Sequence, residues 1–295
     1  MLRLVPFLLL MLAGCTSLSF VDLPSANHNS RINFLVLHFT SEDFAESVRL
    51  LTQRTDRPVS VHYLVPETGD PSYPRKSLRI HRLVTEDRRA WHAGVSHWAG
   101  AEALNDTSVG IEIVNQSACV DNEPGTETPM PEEQTCTLLD YPEEQIELVI
   151  RLAADIIERN PDIDPVDVIG HGDIAPTRRV DPGPLFPWKK LYDQGIGAWY
   201  QDDVYERYRE QFEIGMPGIA AVQGALKAYG YLIDETGEKD AQTRFVVRAF
   251  QMHFRQSDYS GAVDVETAAI LFALIEKYRP ELLADLLKDC CSDDS

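Results

Sequence analysis

The sequence predicts two folded units. The first is an α/β domain over residues 31–200, with a mixed central sheet flanked by helices. The second is a small three-helix domain over residues 217–280. Three observations predict this. Short apolar runs and helically spaced apolar residues alternate through residues 31–200, the pattern of an α/β domain. A composition break follows, with a charged and aromatic stretch at 201–216 that reads as a linker. The segment beyond it contains an internal echo: Gly237-x-x-Asp240-x-x-Thr243 recurs as Gly261-x-x-Asp264-x-x-Thr267.

Composition narrows the function classes. The chain has 295 residues, 27 Lys+Arg against 47 Asp+Glu, and a formal net charge of −20. Nucleic acid is excluded as a partner, because phosphate binding needs clustered basic residues. A hydrophobic content of 44% is ordinary for a globular protein. Half of the negative charge sits in two segments. Residues 117–140 carry a net −6 and residues 281–295 a net −4. The first reads as an acidic loop and the second as an acidic tail, both solvated and neither pointing to a partner.

From the N-terminus, Arg3 precedes an apolar run from Leu4 to Ala13. A helix of that length cannot cross a bilayer, which takes ~20 residues. It has the length of the apolar part of a signal peptide. The run ends in Leu12-Ala13-Gly14-Cys15, which resembles the bacterial lipoprotein box. That resemblance implies a signal peptide over 1–14, a lipid on Cys15 and a tether over 15–30. Thr16 in place of Asp implies an outer-membrane lipoprotein facing the periplasm. Cys119 and Cys136 bracket the acidic loop, and an oxidising compartment makes a disulfide between them the expected pairing. Cys290 and Cys291 are adjacent and receive no assignment.

The elements then follow in order. Ile32 to Phe39 is a continuous branched apolar run, read as a buried strand. Residues 43–53 have helical spacing. Residues 61–65, 78–84 and 108–114 read as strands. Pro142 opens the clearest helix, with Ile146, Val149, Ile150, Ala153 and Ile157 on one face, and Asn160-Pro161 ends it. Val166 to Gly170 is a short strand, followed by a loop rich in His, Asp, Pro and Gly. In the second unit, Asp240 and Asp264 stand where they can cap helices. The helices are expected near 217–229, 240–256 and 264–278.

Most of the chain's 8 histidines have a bland default. Two stand out: His38 at the end of a buried strand, and His171 just after another. Asp181 follows ten residues later. Two imidazoles and a carboxylate suffice as protein ligands for a catalytic zinc ion. Glu112 stands between Ile111 and Ile113 on a buried strand, a costly place for an acid unless it faces a polar cleft. His62 is read as a core residue near the site. His28, His81, His97 and His253 receive no functional assignment.

These residues lie in longer motifs: Gly170-His171-Gly172-Asp173-Ile174-Ala175-Pro176, Asp181-Pro182-Gly183-Pro184-Leu185-Phe186-Pro187-Trp188, Ala90-Trp91-His92-Ala93-Gly94 and Asn105 to Glu112. Together they resemble the zinc-dependent N-acetylmuramoyl-L-alanine amidases of the type 2 family over about 31–195. Peptidoglycan recognition proteins share that fold. The resemblance implies zinc on His38, His171 and Asp181. It implies Glu112 as the catalytic acid–base residue, and His92 and Trp91 on the substrate groove; for His92 a hydrogen-bonding role that fixes a loop stands equally open. Arg179 stands where the family often has Lys. It keeps a charge that can stabilise an oxyanion but cannot donate a proton near neutral pH. Residues 217–278, with Val222-Gln223-x-x-Leu226, Gly230-Tyr231 and Phe250-Gln251, resemble the three-helix peptidoglycan-binding domain. The implied activity is hydrolysis of the amide between N-acetylmuramic acid, or its anhydro form, and L-alanine, by a monomer held to peptidoglycan. Two rival readings remain at this point: a non-catalytic peptidoglycan-binding protein, and a recycling amidase specific for anhydro-muramic substrates.

Overall fold

The computed structural model describes residues 18–121 and 134–290. The signal peptide, Cys15, Cys291, residues 292–295 and the tip of the acidic loop lie outside the described residues. Residues 18–29 are exposed, and residues 18–30 contain neither helix nor strand.

The α/β unit contains strands β1 (Phe34–Phe39), β2 (Tyr63–Val65), β3 (His81–Arg82), β4 (His97–Trp98), β5 (Ala101–Glu102), β6 (Ser108–Ile113), β7 (Ala118–Asp121), β8 (Gln134–Thr137) and β9 (Val168–Gly170). Its helices are α1 (Phe44–Thr52), α2 (Glu143–Arg159), α3 (His171–Ile174) and α4 (Trp188–Tyr192). Five strands form the central sheet in the order β3-β2-β6-β1-β9. β2, β6, β1 and β9 run parallel, and β3 is antiparallel at one edge.

The sheet is covered on both faces, which is why β1 is buried throughout and apolar except at His38. Leu64 packs with Phe44 and Leu51 of α1 on one face. Tyr63 and Val65, which point the other way, join the larger core with Ile146, Val149 and Ile156 of α2. Asp43 caps α1, accepting a hydrogen bond from the Glu46 N–H at 2.9 Å.

The helical unit comprises α5 (Asp202–Ile214), α6 (Ile219–Tyr229), α7 (Ala241–Phe254), α8 (Val265–Tyr278) and α9 (Pro280–Cys290). The sequence echo has a shared structural cause. Asp240 and Asp264 each cap a helix, accepting from Thr243 N–H and Thr267 N–H. A buried glutamine then reads each unit. Gln223 Oε1 accepts from Gly237 N–H at 2.8 Å, and its Nε2 donates to Thr243 Oγ1 at 2.8 Å. Gln251 Oε1 accepts from Gly261 N–H at 2.8 Å, and its Nε2 donates to Thr267 Oγ1 at 2.9 Å.

Four expectations need correction. The stretch 201–216 is the helix α5, because Tyr208 and Phe212, each 1% exposed, recur on one face and pack against Phe272 of α8. The described part of the acidic tail is the helix α9, whose Leu283, Leu286 and Leu287 pack on the core. Its acids occupy the other positions. The loop 117–140 begins and ends in the hairpin strands β7 and β8. The strand over 78–84 shrinks to two residues.

If α5 is part of the core, Phe212→Ala should cost about 3–5 kcal/mol, the usual range for a buried aromatic. Urea unfolding of the wild type and the variant measures this. A change below ~0.5 kcal/mol, as expected of an exposed linker residue, would contradict the packing described.

Candidate active site

Three neighbouring parallel strands deliver the site. β6, β1 and β9 end side by side, and ligands of open α/β sheets bind at the carboxyl ends of such strands. The register places His38 directly opposite Glu112 and Leu37 opposite Gly170. His171 is the first residue after β9. Asp181 returns on the loop that follows α3. Its carbonyl accepts from Gly172 N–H at 2.7 Å, and the next carbonyl, of Pro182, accepts from Tyr141 OH at 2.7 Å. The Asp181–Pro182 bond is cis. Gly170 permits this approach: a Cβ there would lie 2.7 Å from Pro182 Cδ.

His38, His171 and Asp181 are all buried and converge. His38 Nδ1 lies 3.0 Å from His171 Nδ1, and both lie 3.1 Å from Asp181 Oδ2. The surrounding partners fix where the ring protons are. Ala93 carbonyl can only accept, so His171 Nε2, 3.1 Å away, carries a proton, and in the neutral ring Nδ1 is then the lone pair that a metal would use. Ser108 Oγ donates to Leu104 O at 2.6 Å and so accepts from His92 Nε2 at 3.2 Å. His92 Nδ1 therefore accepts from His38 Nε2 at 3.0 Å, which leaves His38 Nδ1 unprotonated. Burial, with the His171 ring beside it, lowers the His38 pKa to about 4, so the ring is neutral.

Two imidazole lone pairs and a carboxylate oxygen thus face one another. That is a repulsive arrangement without a cation between them. A tetrahedral zinc ion with bonds of ~2.0–2.1 Å separates its ligand atoms by about 3.3 Å, close to the spacings found. The donor set fits the metal.

Glu112 shares a cleft of about 460 Å³ with Thr40, Gln134, Arg179, Asp181 and Phe245. Its Oε2 is buried and has no hydrogen-bond partner. Burial and nearby Asp181 push its carboxyl well above the ordinary range, and Arg179 pulls it back. Arg179 is exposed on the cleft rim.

The structure separates other expected site residues from the cleft. His92 does not line it. His92 is 8% exposed and stands behind His38, where it sets that ring's tautomer. Trp91 is half exposed and is not part of the cleft wall. Cys119 and Cys136 are disulfide-bonded and directly opposed on β7 and β8, and Cys119 lines the cleft. Nothing in the sequence marks Arg178, whose guanidinium donates to the carbonyls of Ala93, at 2.6 Å, and Val95. It braces the carbonyl that also orients His171. A side chain's bond to a distant backbone carbonyl leaves no pattern in a sequence.

Both units resemble known proteins. The family described as N-acetylmuramoyl-L-alanine amidase matches residues 28–184. The family described as putative peptidoglycan binding domain matches residues 215–271. N-acetylmuramoyl-L-alanine amidase AmiD of Escherichia coli K12 is 44% identical over 249 residues, 84% of each chain. The crystal structure of AmpDh3 from Pseudomonas aeruginosa in complex with anhydromuramic pentapeptide is similar at 46% identity and a TM-score of 0.80. The match covers 89% of this chain and 99% of that one. The AmiD complex with anhydro-N-acetylmuramic acid-L-Ala-D-γ-Glu-L-Lys is similar at 40% identity and a TM-score of 0.70, over 86% of this chain and 93% of that one.

Gly110 tests the tautomer relay. A Cβ at Gly110 would lie 2.7 Å from the His92 ring, which is buried and bonded at both nitrogens. Gly110→Ala should displace His92, free His38 to take the wrong tautomer, and weaken metal binding about 10-fold or more. Competition with a metal-sensitive dye measures this, with circular dichroism to check the fold. Unchanged affinity would remove His92 from the site.

Proposed function

We propose, for a chain that belongs to the N-acetylmuramoyl-L-alanine amidase family, a zinc-assisted hydrolysis of the bond between N-acetylmuramic acid and L-alanine. The activity and its place in peptidoglycan turnover follow from the family and from the close relatives. The metal and the residue roles are our reading. It rests chiefly on one observation: two imidazole nitrogens and a carboxylate oxygen meet at 3.0–3.1 Å, in the same site as the unpaired carboxyl oxygen of Glu112.

His38, His171 and Asp181 would hold the ion. When bound, zinc supplies Lewis acidity, polarising a carbonyl and acidifying water. Glu112 takes the proton of the attacking water at Oε2 and passes it to the nitrogen of the leaving L-alanine. A raised pKa suits both halves of this role, since it makes the carboxylate a stronger base and the acid form easier to maintain. Arg179 places positive charge at the cleft rim, where the scissile carbonyl oxygen becomes negative, and stabilises it without donating a proton. The relatives solved with anhydro-muramic peptides support acceptance of that form of the sugar here.

The helical unit is read as the peptidoglycan-binding part, raising the enzyme's effective concentration at the wall. The lipoprotein-like box at Cys15 supports anchoring to the outer membrane, facing the periplasm. The Cys119–Cys136 disulfide is in keeping with an oxidising compartment.

Incubation with peptidoglycan, followed by mass spectrometry of the soluble fraction, tests the reading. Wild type with zinc should release free stem peptides. Glu112→Gln should keep its metal and lose activity by ~10²-fold or more. His38→Ala should lose stoichiometric zinc, and zinc retained by that variant would refute the ligand set. Cys15→Ala should move the protein from the membrane fraction to the soluble one; a variant that still sediments with membranes would refute the anchor.

A further inference from the structure

His253 is a histidine without a functional assignment, and it lies in the helical unit. The structure brings it to the metal centre's supporting shell. Asp173 stands two residues after His171 and is 3% exposed. Its Oδ2 accepts from Gly170 N–H at 2.8 Å and bonds His253 Nδ1 at 2.8 Å. Its Oδ1 accepts from Tyr231 OH at 2.6 Å. Of these three donors, one is the peptide N–H immediately before His171. The other two come from the helical unit.

The four-residue turn α3 has little of its own to hold it. Ala175 N–H donates to His171 O at 3.1 Å, and Gly172 N–H reaches out of the turn to Asp181 O at 2.7 Å. The orientation of His171 therefore depends in part on what grips the turn from outside. Asp173 ties it to Gly170 on one side, and Tyr231 and His253 fix Asp173 on the other. Both grips are rigid. His253 stacks on Trp188 with ring centroids 3.7 Å apart. Tyr231 meets Trp98 edge-on at 4.8 Å. Gly230 packs directly on Trp98, where a Cβ would lie 2.8 Å from the indole, and its carbonyl accepts from Ala99 N–H at 2.8 Å. A buried carboxylate is costly unless its oxygens are saturated, so loss of either donor leaves Asp173 to rearrange.

We propose that Tyr231 and His253 are positioning residues for the metal centre. The helical unit, beyond any grip on the wall, sets the orientation of His171 through Asp173. The proposal rests on the reading of His171 as a metal ligand. It differs from simple domain adhesion in one respect: the hydrogen-bonding atoms matter separately from the packing of the rings.

The test uses the full soluble chain without residues 1–15. Tyr231→Phe keeps the ring against Trp98 and removes only the hydroxyl. His253→Gln keeps an N–H donor, and His253→Leu keeps bulk alone. Three quantities are read: zinc affinity by chelator competition, the visible spectrum of the cobalt(II)-substituted protein, and kcat and KM on a soluble muropeptide. Tyr231→Phe should bind zinc about 10-fold or more weakly, as loss of an outer partner does elsewhere. Its cobalt bands should shift, and kcat should fall with KM unchanged. His253→Gln should retain more affinity than His253→Leu. Unaltered zinc affinity and cobalt bands in Tyr231→Phe and His253→Gln, with only a lower melting temperature, overturn the proposal while leaving the ligand set intact. Wild type that binds no zinc overturns the ligand reading and the proposal together. If His253→Leu does not fold, Tyr231→Phe alone decides the outcome.

Discussion

The parallel pairing of β1 with β6 is the constraint on which the site depends. Strand pairing allows one side-chain position to be set against another with no loop between them. His38 opposite Glu112 is such a setting. A slip of one residue would turn Glu112 to the other face of the sheet, away from His38, His171 and Asp181. The apolar neighbours Leu37, Ile111 and Ile113 oppose that slip, because it would also expose them to the wrong layer. The core thus enforces the chemistry.

A second layer acts on the first. His38 and His171 each turn one ring nitrogen away from Asp181, and each of these nitrogens has a partner. His171 has Ala93 carbonyl, and His38 has His92 followed by Ser108. Such partners keep the inward nitrogens free of protons, and a metal needs that more than it needs the residues merely to be near. Arg178, braced on the same Ala93 carbonyl, belongs to this layer. So does Asp173, which carries the arrangement into the helical unit.

The sequence made some of this legible and hid the rest for physical reasons. β1 could be read because burial on both faces forces a continuous apolar run. Glu112 could be read because an acid between two buried isoleucines is an anomaly that asks for a reason. The motif around His171 could be read by resemblance. For His92 the motif shows that it lies near the site but not which way its ring turns. Turning is decided by Gly110 and Ser108 on β6. α5 reads as a linker because its charged face outweighs two buried aromatics in any local count of composition. Tyr231 and His253 gave no signal of their role, since their shared partner lies 58 and 80 positions away along the chain.

The paired glutamines of the helical unit carry a consequence of their own. Each lock joins one glutamine to a glycine N–H and a threonine hydroxyl, and the Asp-x-x-Thr turn has the same form in both. The distance along the chain does not match: the glycine lies 14 residues after Gln223 but 10 after Gln251. The bonds fix the two ends of each intervening segment and leave its length unconstrained. Chain length can therefore change between a glutamine and its glycine without disturbing the helices on either side. The helical unit holds its shape at four anchored points, and its connecting segments are the places where variation costs it least.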